Sequence, residues 1–447
     1  MCTDFNLVRS LQPCSFASFI TSTILQEARH QFCNNGRRGR PSKKARRDAG
    51  GGSGLTPFAL RLAKQLFEGD GGSRSNNLVF SPLSMYVALA LVGAGAGGET
   101  LDEFLALLGA ASRDELAEIV RGMTASALTD RSALGGPFVA FACGVWHQET
   151  TRLKPAYRTA AVESFKAETR AANFLKAEEV RGEINNWVLK ATNNLITTIL
   201  PEDTVHPTTA LVLANAIYFN GSWSKPFDKE RTEDKRFYCL DGSSVRAPFM
   251  HTKVKQFINE YDGFKVLKLP YRNSRRDDDE WPYQCERNFS MCIFLPDARD
   301  GLPGLVDKME SSSSSFLRDH LPKITVTVGE LCLPKFKLSF SSQMNRTLKT
   351  MGLEAVFSKR KANLSNMLED DNDGLYMDHV FHRAAIQVDE AGTEAAASTA
   401  STIRKKGGGR FCPTDFIADH PFVFFIVEGV SGAVVFMGLV LDPTRSE

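Results

Sequence analysis

The chain has 447 residues, of which 43% are hydrophobic and 24% charged, and its formal net charge at pH 7 is +2. These values are normal for a globular protein that buries a sizeable core, and they do not indicate a particular partner. The nine cysteines are scattered and odd in number and include no C-x-x-C pair, which argues against a disulfide framework and against a zinc site.

The first 54 residues are predicted to form a disordered basic extension ahead of one folded domain over residues 55–447. Much of the positive charge lies in residues 37–47, and residues 48–54 have the composition of a flexible linker. Within the basic run, Arg38, Gly39, Arg40 and Pro41 resemble the core of an AT-hook. Three interpretations stay open: contact with the DNA minor groove, a nuclear localisation signal, or a solvated tail without a role.

Apolar residues at three- and four-residue spacing predict a helix over residues 57–67, followed by helices over 84–93 and 100–108. Strands are predicted at 138–146, 210–219, 289–295, 324–328 and 384–388, several of them almost entirely apolar. Residues 422–441 are also apolar, but Glu428 and two glycines near their middle favour a β-hairpin over a membrane helix. Because helices and strands do not alternate regularly, the fold class is predicted to be α+β.

One segment is composed differently. Residues 392–402 are small and polar, and residues 404–409 continue as Arg-Lys-Lys-Gly-Gly-Gly. About twenty exposed residues without apolar anchors are uncommon inside a compact domain, and long loops of this kind are frequently functional. We therefore expect an exposed loop from Gly392 to Pro413.

Signatures of catalysis are missing from the sequence. It contains no H-E-x-x-H motif, no Walker loop and no G-x-S-x-G nucleophile elbow. His382 lies among apolar strand residues, where a hydrogen-bonded core histidine is expected before a catalytic base. We expect a protein that is not an enzyme and that uses no cofactor and no metal.

Four motifs in this order resemble those of the serpin family. Residues 77–84 (NLVFSPLS) match the segment that opens helix B, and residues 213–223 (LANAIYFNGSW) match a central strand of sheet A. Residues 392–398 (GTEAAAS) match the hinge of the reactive-centre loop. Residues 418–422 (ADHPF) match the carboxyl-terminal signature in the form typical of plant members. The chain is thereby identified as similar to plant serpins of the serpin-Z type.

The resemblance implies helices around a large mixed central sheet, further sheets, and an exposed reactive-centre loop over about residues 390–415. A target protease attacks this loop and forms an acyl-enzyme, and the cleaved loop then inserts into the central sheet. The hinge residues are Gly392, Thr393, Glu394, Ala395, Ala396 and Ala397. Thr393 and the three alanines are small, and none of the six is proline, as insertion requires. The implied function is irreversible suicide inhibition of an endopeptidase.

In related serpins the scissile bond follows the residue fourteen positions after the hinge glycine, which here is Lys406, with Gly407 next. Plant relatives often have Leu-Arg before the bond, and the segment after it is about one residue shorter here, so Lys405 and Arg404 remain alternatives. A basic bait suits a trypsin-like serine protease. A metacaspase or a papain-like cysteine protease is a further candidate partner.

The resemblance also assigns structural positions. Ser81, Ser84, Asn215 and His382 match the shutter, whose hydrogen bonds hold the central sheet closed. Glu390 and Lys335 match an ion pair at the top of that sheet, the breach.

Two alternatives come from other functional classes: a non-inhibitory serpin that binds or stores, and a nuclear DNA-associated serpin that acts through its basic extension. Asp4 and Arg9 interrupt any amino-terminal apolar stretch, so no secretory signal is expected. We expect a monomer without a membrane partner in the cytoplasm or nucleus, and an apoplastic fraction stays open.

Overall fold

The computed structural model describes residues 54–69, 76–273, 289–312, 314–369, 374–393 and 413–446. Within these ranges the chain forms nine α-helices around three β-sheets. The helices are α1 (Leu55–Gly69), α2 (Pro82–Gly95), α3 (Gly98–Leu108), α4 (Arg113–Ala127), α5 (Pro155–Phe165), α6 (Ala177–Ala191), α7 (Leu302–Ser311), α8 (Phe316–His320) and α9 (Asn345–Thr350). The predicted helices near residues 57–67, 84–93 and 100–108 are α1, α2 and α3.

The described ranges contain seventeen strands, and four of the five single strands predicted from the sequence are among them. The strands are β1 (Leu78–Phe80), β2 (Phe138–Gln148), β3 (Glu168–Ala172), β4 (Leu211–Ser222), β5 (Glu233–Tyr238), β6 (Ser244–Thr252), β7 (Gln256–Tyr261), β8 (Phe264–Pro270), β9 (Ser290–Pro296), β10 (Thr325–Val326), β11 (Val328–Pro334), β12 (Phe336–Gln343), β13 (His379–Val388), β14 (Gly392–Thr393), β15 (Thr414–Ile417), β16 (Phe422–Val427) and β17 (Val434–Val440). The single strand predicted over residues 324–328 is wrong. The chain passes from one sheet to another at Thr327, so β10 and β11 belong to different sheets.

The six-stranded sheet has the order β12-β13-β14-β4-β2-β3 and is mixed, because β4 runs parallel to β13 and β2 runs parallel to β3. The seven-stranded sheet has the order β1-β17-β16-β9-β8-β7-β10, and the four-stranded sheet has the order β15-β11-β6-β5. This mixture of helices and separate sheets confirms the predicted α+β class.

The central strands β2 and β4 of the six-stranded sheet are buried on both faces over most of their length, which explains their nearly continuous apolar sequences. Along β4, Leu213 and Ile217 belong to the main core, which also takes in α1, α2 and the other two sheets. The alternate residues Ala214 and Tyr218 belong to a smaller cluster with Trp187 of α6 on the opposite face. A strand added to this sheet therefore has to fit two packed surfaces.

The hairpin predicted for residues 422–441 is formed by β16 and β17. The Glu428 carboxylate is buried at the turn and accepts hydrogen bonds from the backbone N–H and the hydroxyl of Ser431, each at 2.7 Å. Across the described ranges, no helix is both long enough and apolar enough to span a bilayer.

Candidate functional site in the six-stranded sheet

The beginning of the predicted loop is already part of the six-stranded sheet. β14 lies between β13 and β4, and its antiparallel register pairs Gly392 with Ser222 and Thr393 with Gly221. Beyond β14, β13 and β4 pair directly with each other, with Ala385 at the upper end of their ladder. Both residues of β14 are buried, so the expectation of an exposed loop from Gly392 onward is wrong for these two positions.

A tight turn places β14 in this gap. The Asp389 carboxylate accepts hydrogen bonds from the backbone N–H groups of Ala391 (2.9 Å) and Gly392 (3.1 Å), and the Asp389 N–H donates to the Gly392 carbonyl. A Cβ atom at position 392 would lie 2.1 Å from the carbonyl oxygen of Gly221. Only glycine allows the two backbones to approach this closely, which explains why the sequence has glycine at this position.

The Thr393 side chain is held by an aromatic group under the sheet. Its hydroxyl and the hydroxyl of Tyr271 share a hydrogen bond of 2.6 Å, and both residues are fully buried. The Tyr271 ring stacks on Trp223 with 4.6 Å between centroids, and the Trp223 indole N–H donates to the Asp389 carbonyl at 2.9 Å. The turn and β14 are thus attached to the same pair of rings.

Glu390 and Lys335 form an ion pair beside the turn, with 2.9 Å between Nζ and Oε2. The Glu390 side chain is 5% exposed, whereas that of Lys335 is 35% exposed. The Thr232 hydroxyl donates to the same carboxylate at 2.7 Å. Burial raises the pKa of Glu390, but the hydrogen bonds from Thr232 and Lys335 outweigh burial, and the net pKa lies below its usual value. Glu390 is therefore ionised at neutral pH.

Ser81, Ser84, Asn215 and His382 meet in one fully buried cluster between α2 and the six-stranded sheet. His382 and Asn215 lie opposite each other on β13 and β4, and His382 Nδ1 is 2.9 Å from Asn215 Oδ1. The Ser81 backbone N–H donates to His382 Nε2 at 3.0 Å, which makes Nδ1 the protonated nitrogen. The Ser84 hydroxyl donates to Asn215 Oδ1 at 2.5 Å.

The same cluster connects the sheet to the start of α2. Ser81 is the N-cap of α2, and its hydroxyl accepts from the Ser84 N–H and donates to the Val435 carbonyl at 2.6 Å. Burial lowers the pKa of His382 to about 3, so the imidazole is neutral at physiological pH. The histidine acts here as a hydrogen-bonding core residue, as expected from its apolar surroundings in the sequence.

Several predicted positions fall outside the described residues. These are the hinge residues Glu394, Ala395, Ala396 and Ala397, the bait residues Arg404, Lys405, Lys406 and Gly407, and Arg38, Gly39, Arg40 and Pro41 of the basic extension.

Sequence reasoning missed the residues that hold the turn and Thr393. Tyr271 and Thr232 lie far from the hinge in sequence, and neither belongs to a motif that would mark it. Trp223 appears in the sequence analysis only as the last residue of the motif at 213–223, and it directly follows β4. Asp389 itself is a recognisable turn signal, because an aspartate side chain often accepts hydrogen bonds from the backbone N–H groups two or three residues later in the chain.

The comparisons with known proteins agree with this architecture. Residues 53–443 match the family model described as Serpin (serine protease inhibitor). The chain is 55% identical to Serpin-Z2A of Oryza sativa subsp. japonica over 422 residues, which cover 89% of this chain and 99% of that protein. It is 43% identical to Serpin-Z1C of Triticum aestivum over 393 residues, covering 88% and 96% of the two chains.

A solved structure of Arabidopsis AtSerpin1 in its native stressed conformation is 38% identical, with a TM-score of 0.79 and coverage of 88% of this chain and 98% of that chain. The family model spans most of the sequence, and the three sheets and the plant relatives agree with it. The chain therefore belongs to the serpin family and is of the plant serpin-Z type.

Proposed function

We propose that this chain is a single-use inhibitor of endopeptidases that cleave after lysine or arginine. Membership in a family described as serine protease inhibitors supports inhibition in general. The observation that carries the proposal is the place of Thr393, because this residue already occupies the gap between β4 and β13 that loop insertion has to extend.

The register of β14 defines how insertion would continue. Each further loop residue would meet the β4 residue one position earlier, so Ile403 would reach Leu211, the first residue of β4. Residues 394–403 would thus add a strand of about 33 Å at about 3.3 Å per residue. Lys406 would lie just beyond the far end of β4, which would carry an attached protease away from the site of cleavage.

The loop sequence fits the two faces of this sheet. Thr393 faces the main core, so with period-two alternation Ala395, Ala397, Thr399, Ser401 and Ile403 would face it too. These side chains are small except for Ile403, which is apolar. Glu394, the charged residue among positions 394–403, would lie on the opposite face, paired with Asn220, which is partly exposed. Its carboxylate would therefore stay in contact with water during insertion.

The covalent step requires no group from the serpin beyond its own peptide bond. The hydroxyl of a serine protease, or the thiol of a cysteine protease, attacks the Lys406 carbonyl carbon. The bond to Gly407 breaks, the Gly407 nitrogen leaves as an amine with the proton from the nucleophile, and an acyl-enzyme remains. Insertion then carries the acylated protease to the far end of the sheet before the ester or thioester is hydrolysed. Lys405 and Arg404 are alternative bait residues of the same specificity.

The direct test is incubation of the purified protein with trypsin, followed by a denaturing gel. We expect a covalent complex with the summed mass of both proteins, and we expect Lys406→Glu to abolish it. A complex that persists in Lys406→Glu would move the bait to Lys405 or Arg404. If wild-type protein gave only a clipped chain while trypsin stayed active, inhibition of this protease class would be refuted and the non-inhibitory alternative favoured.

A pair of hinge variants tests insertion separately from bait recognition. Thr393→Arg would place a cation against Tyr271 in the buried face, whereas Glu394→Arg would place the same side chain on the opposite face. We expect Thr393→Arg to be cleaved as a plain substrate and Glu394→Arg to keep forming the complex. Equal complex yields from both variants would contradict the proposed register.

A further inference from the structure

Three side chains of types that can ligate a metal ion lie together on the four-stranded sheet, away from the hinge and the shutter. His251 on β6 lies directly opposite Cys332 on β11, so both side chains are on the same face of the sheet. Glu330 is two residues before Cys332 and projects to the same face. Cys332 is fully buried, and Glu330 is 42% exposed, so the cluster opens toward solvent on the side of Glu330.

The donor atoms of these residues form a small triangle. Cys332 Sγ is 3.1 Å from His251 Nδ1 and 3.1 Å from Glu330 Oε1, and the His251 and Glu330 atoms are 3.7 Å apart. Tetrahedral zinc with its usual bond lengths separates such donors by about 3.3–3.6 Å. Each edge of the triangle therefore needs to change by no more than about 0.5 Å.

We propose that His251, Glu330 and Cys332 bind one zinc ion, with the fourth position open to water or to a further ligand. A thiolate, an imidazole and a carboxylate suit zinc, whereas calcium and magnesium prefer oxygen ligands only. Coordination replaces the thiol hydrogen of Cys332, and this proton is released to solvent.

A cation already occupies part of this space. The Lys235 ammonium on β5 lies 2.9 Å from Glu330 Oε1 and 3.6 Å from Cys332 Sγ. Its side chain is 36% exposed, so the ammonium can move into solvent when a metal ion takes its place. Lys235 thus competes with zinc for the same two donors, and its removal should strengthen zinc binding.

The position of the cluster connects it to the loop. β11 lies between β6 and β15, and β15 begins at Thr414, shortly after the predicted bait. The backbone carbonyl of Cys332 accepts a hydrogen bond from the Ala418 N–H at 2.9 Å. Zinc would fix β6 to β11, the strand on which the segment after the loop is anchored.

Sequence spacing gives no sign of this site, and the scattered cysteines argue against zinc. Two ligands are two residues apart on β11, but the third comes from another strand of the sheet. Only the register of β6 and β11 brings His251 opposite Cys332.

The test is isothermal titration of the full-length reduced protein with zinc, in the wild type and four variants. We expect one zinc per chain in the wild type and in the control Cys239→Ser, which removes a partly buried cysteine outside the cluster. Glu330→Gln, at a half-exposed position, and Cys332→Ser should each weaken binding roughly tenfold or more. Lys235→Met should bind more tightly than the wild type.

Cobalt substitution gives an independent readout. A thiolate-to-cobalt charge-transfer absorption should appear in the wild type and Cys239→Ser, and it should be absent in Cys332→Ser. The proposal is overturned if the wild type binds no zinc stoichiometrically. It is also overturned if Cys332→Ser and Glu330→Gln bind zinc as tightly as the wild type, because zinc would then be bound elsewhere in the chain.

Discussion

Replacing Asn215 by alanine should destabilise the native state more than its size suggests. The Asn215 side chain accepts from the Ser84 hydroxyl and from His382 Nδ1, and it donates to the Ser84 carbonyl at 3.1 Å. All three residues are fully buried, so water cannot replace the lost partner. Alanine at this position removes the hydrogen-bond partner of two buried donors, the Ser84 hydroxyl and His382 Nδ1, and of one acceptor, the Ser84 carbonyl.

An unpaired buried polar group costs about 1–3 kcal/mol, and Ser84 can rotate its hydroxyl to another acceptor, so we expect a loss of about 2–5 kcal/mol. The matched control is Asn185→Ala. Asn185 makes three comparable hydrogen bonds, to the backbone of Ile199 and Leu200, but it is partly exposed and does not connect β4 to β13. Asn185→Ala should lower the free energy of unfolding by about 1–2 kcal/mol, because water can hydrogen-bond to the groups that are partly exposed.

The assay is urea unfolding followed by tryptophan fluorescence, together with native gels after mild heating. We expect Asn215→Ala to unfold at lower urea and to form polymers or inserted forms sooner than Asn185→Ala. Equal effects of the two substitutions, or a loss below about 1 kcal/mol for Asn215→Ala, would refute the idea that this cluster holds β4 and β13 together.

Three further predictions concern the same sheet. The pKa of His382 is about 3 in the folded state against 6.5 in the unfolded chain, so its contribution to stability is complete above pH 6.5 and is lost on acidification. Between pH 6.5 and 5 the loss should be about 2 kcal/mol, and urea midpoints in His382→Gln should show a flatter pH dependence. Glu390→Ala should give more polymer on native gels after heating, because Lys335 loses its partner beside the turn. An unchanged amount of polymer and an unchanged unfolding temperature would contradict this. Tyr271→Phe should lower the free energy of unfolding by about 1 kcal/mol through the lost bond to Thr393, and an unchanged value would show that the bond is not stabilising.

Much of the fold could be predicted from local patterns. Ser81 and Pro82 mark the start of α2, and long, mainly apolar runs mark β2 and β4 of the six-stranded sheet. The error at Thr327 has a physical cause. Both short strands are extended and partly apolar, and nothing local records that they pair in different sheets.

The site was predictable only at positions that the family resemblance assigns. Ser81, Ser84, Asn215 and His382 were assigned from the serpin resemblance, and the structure brings these four residues together. Tyr271 and the buried start of the loop were not predictable, because they depend on which strands separate above Ala385. The triangle around Cys332 likewise depends on strand register, which sequence spacing does not encode.

We propose that the loop, once cleaved, continues the strand begun by Thr393. The most direct measurement is thermal unfolding of the protein before and after cleavage of the Lys406–Gly407 bond, in the wild type and in Thr393→Arg. We expect cleaved wild-type protein to unfold at a much higher temperature than intact protein, and we expect cleavage to raise the unfolding temperature of Thr393→Arg far less. A cleaved wild-type chain that unfolds at the same or a lower temperature would contradict insertion.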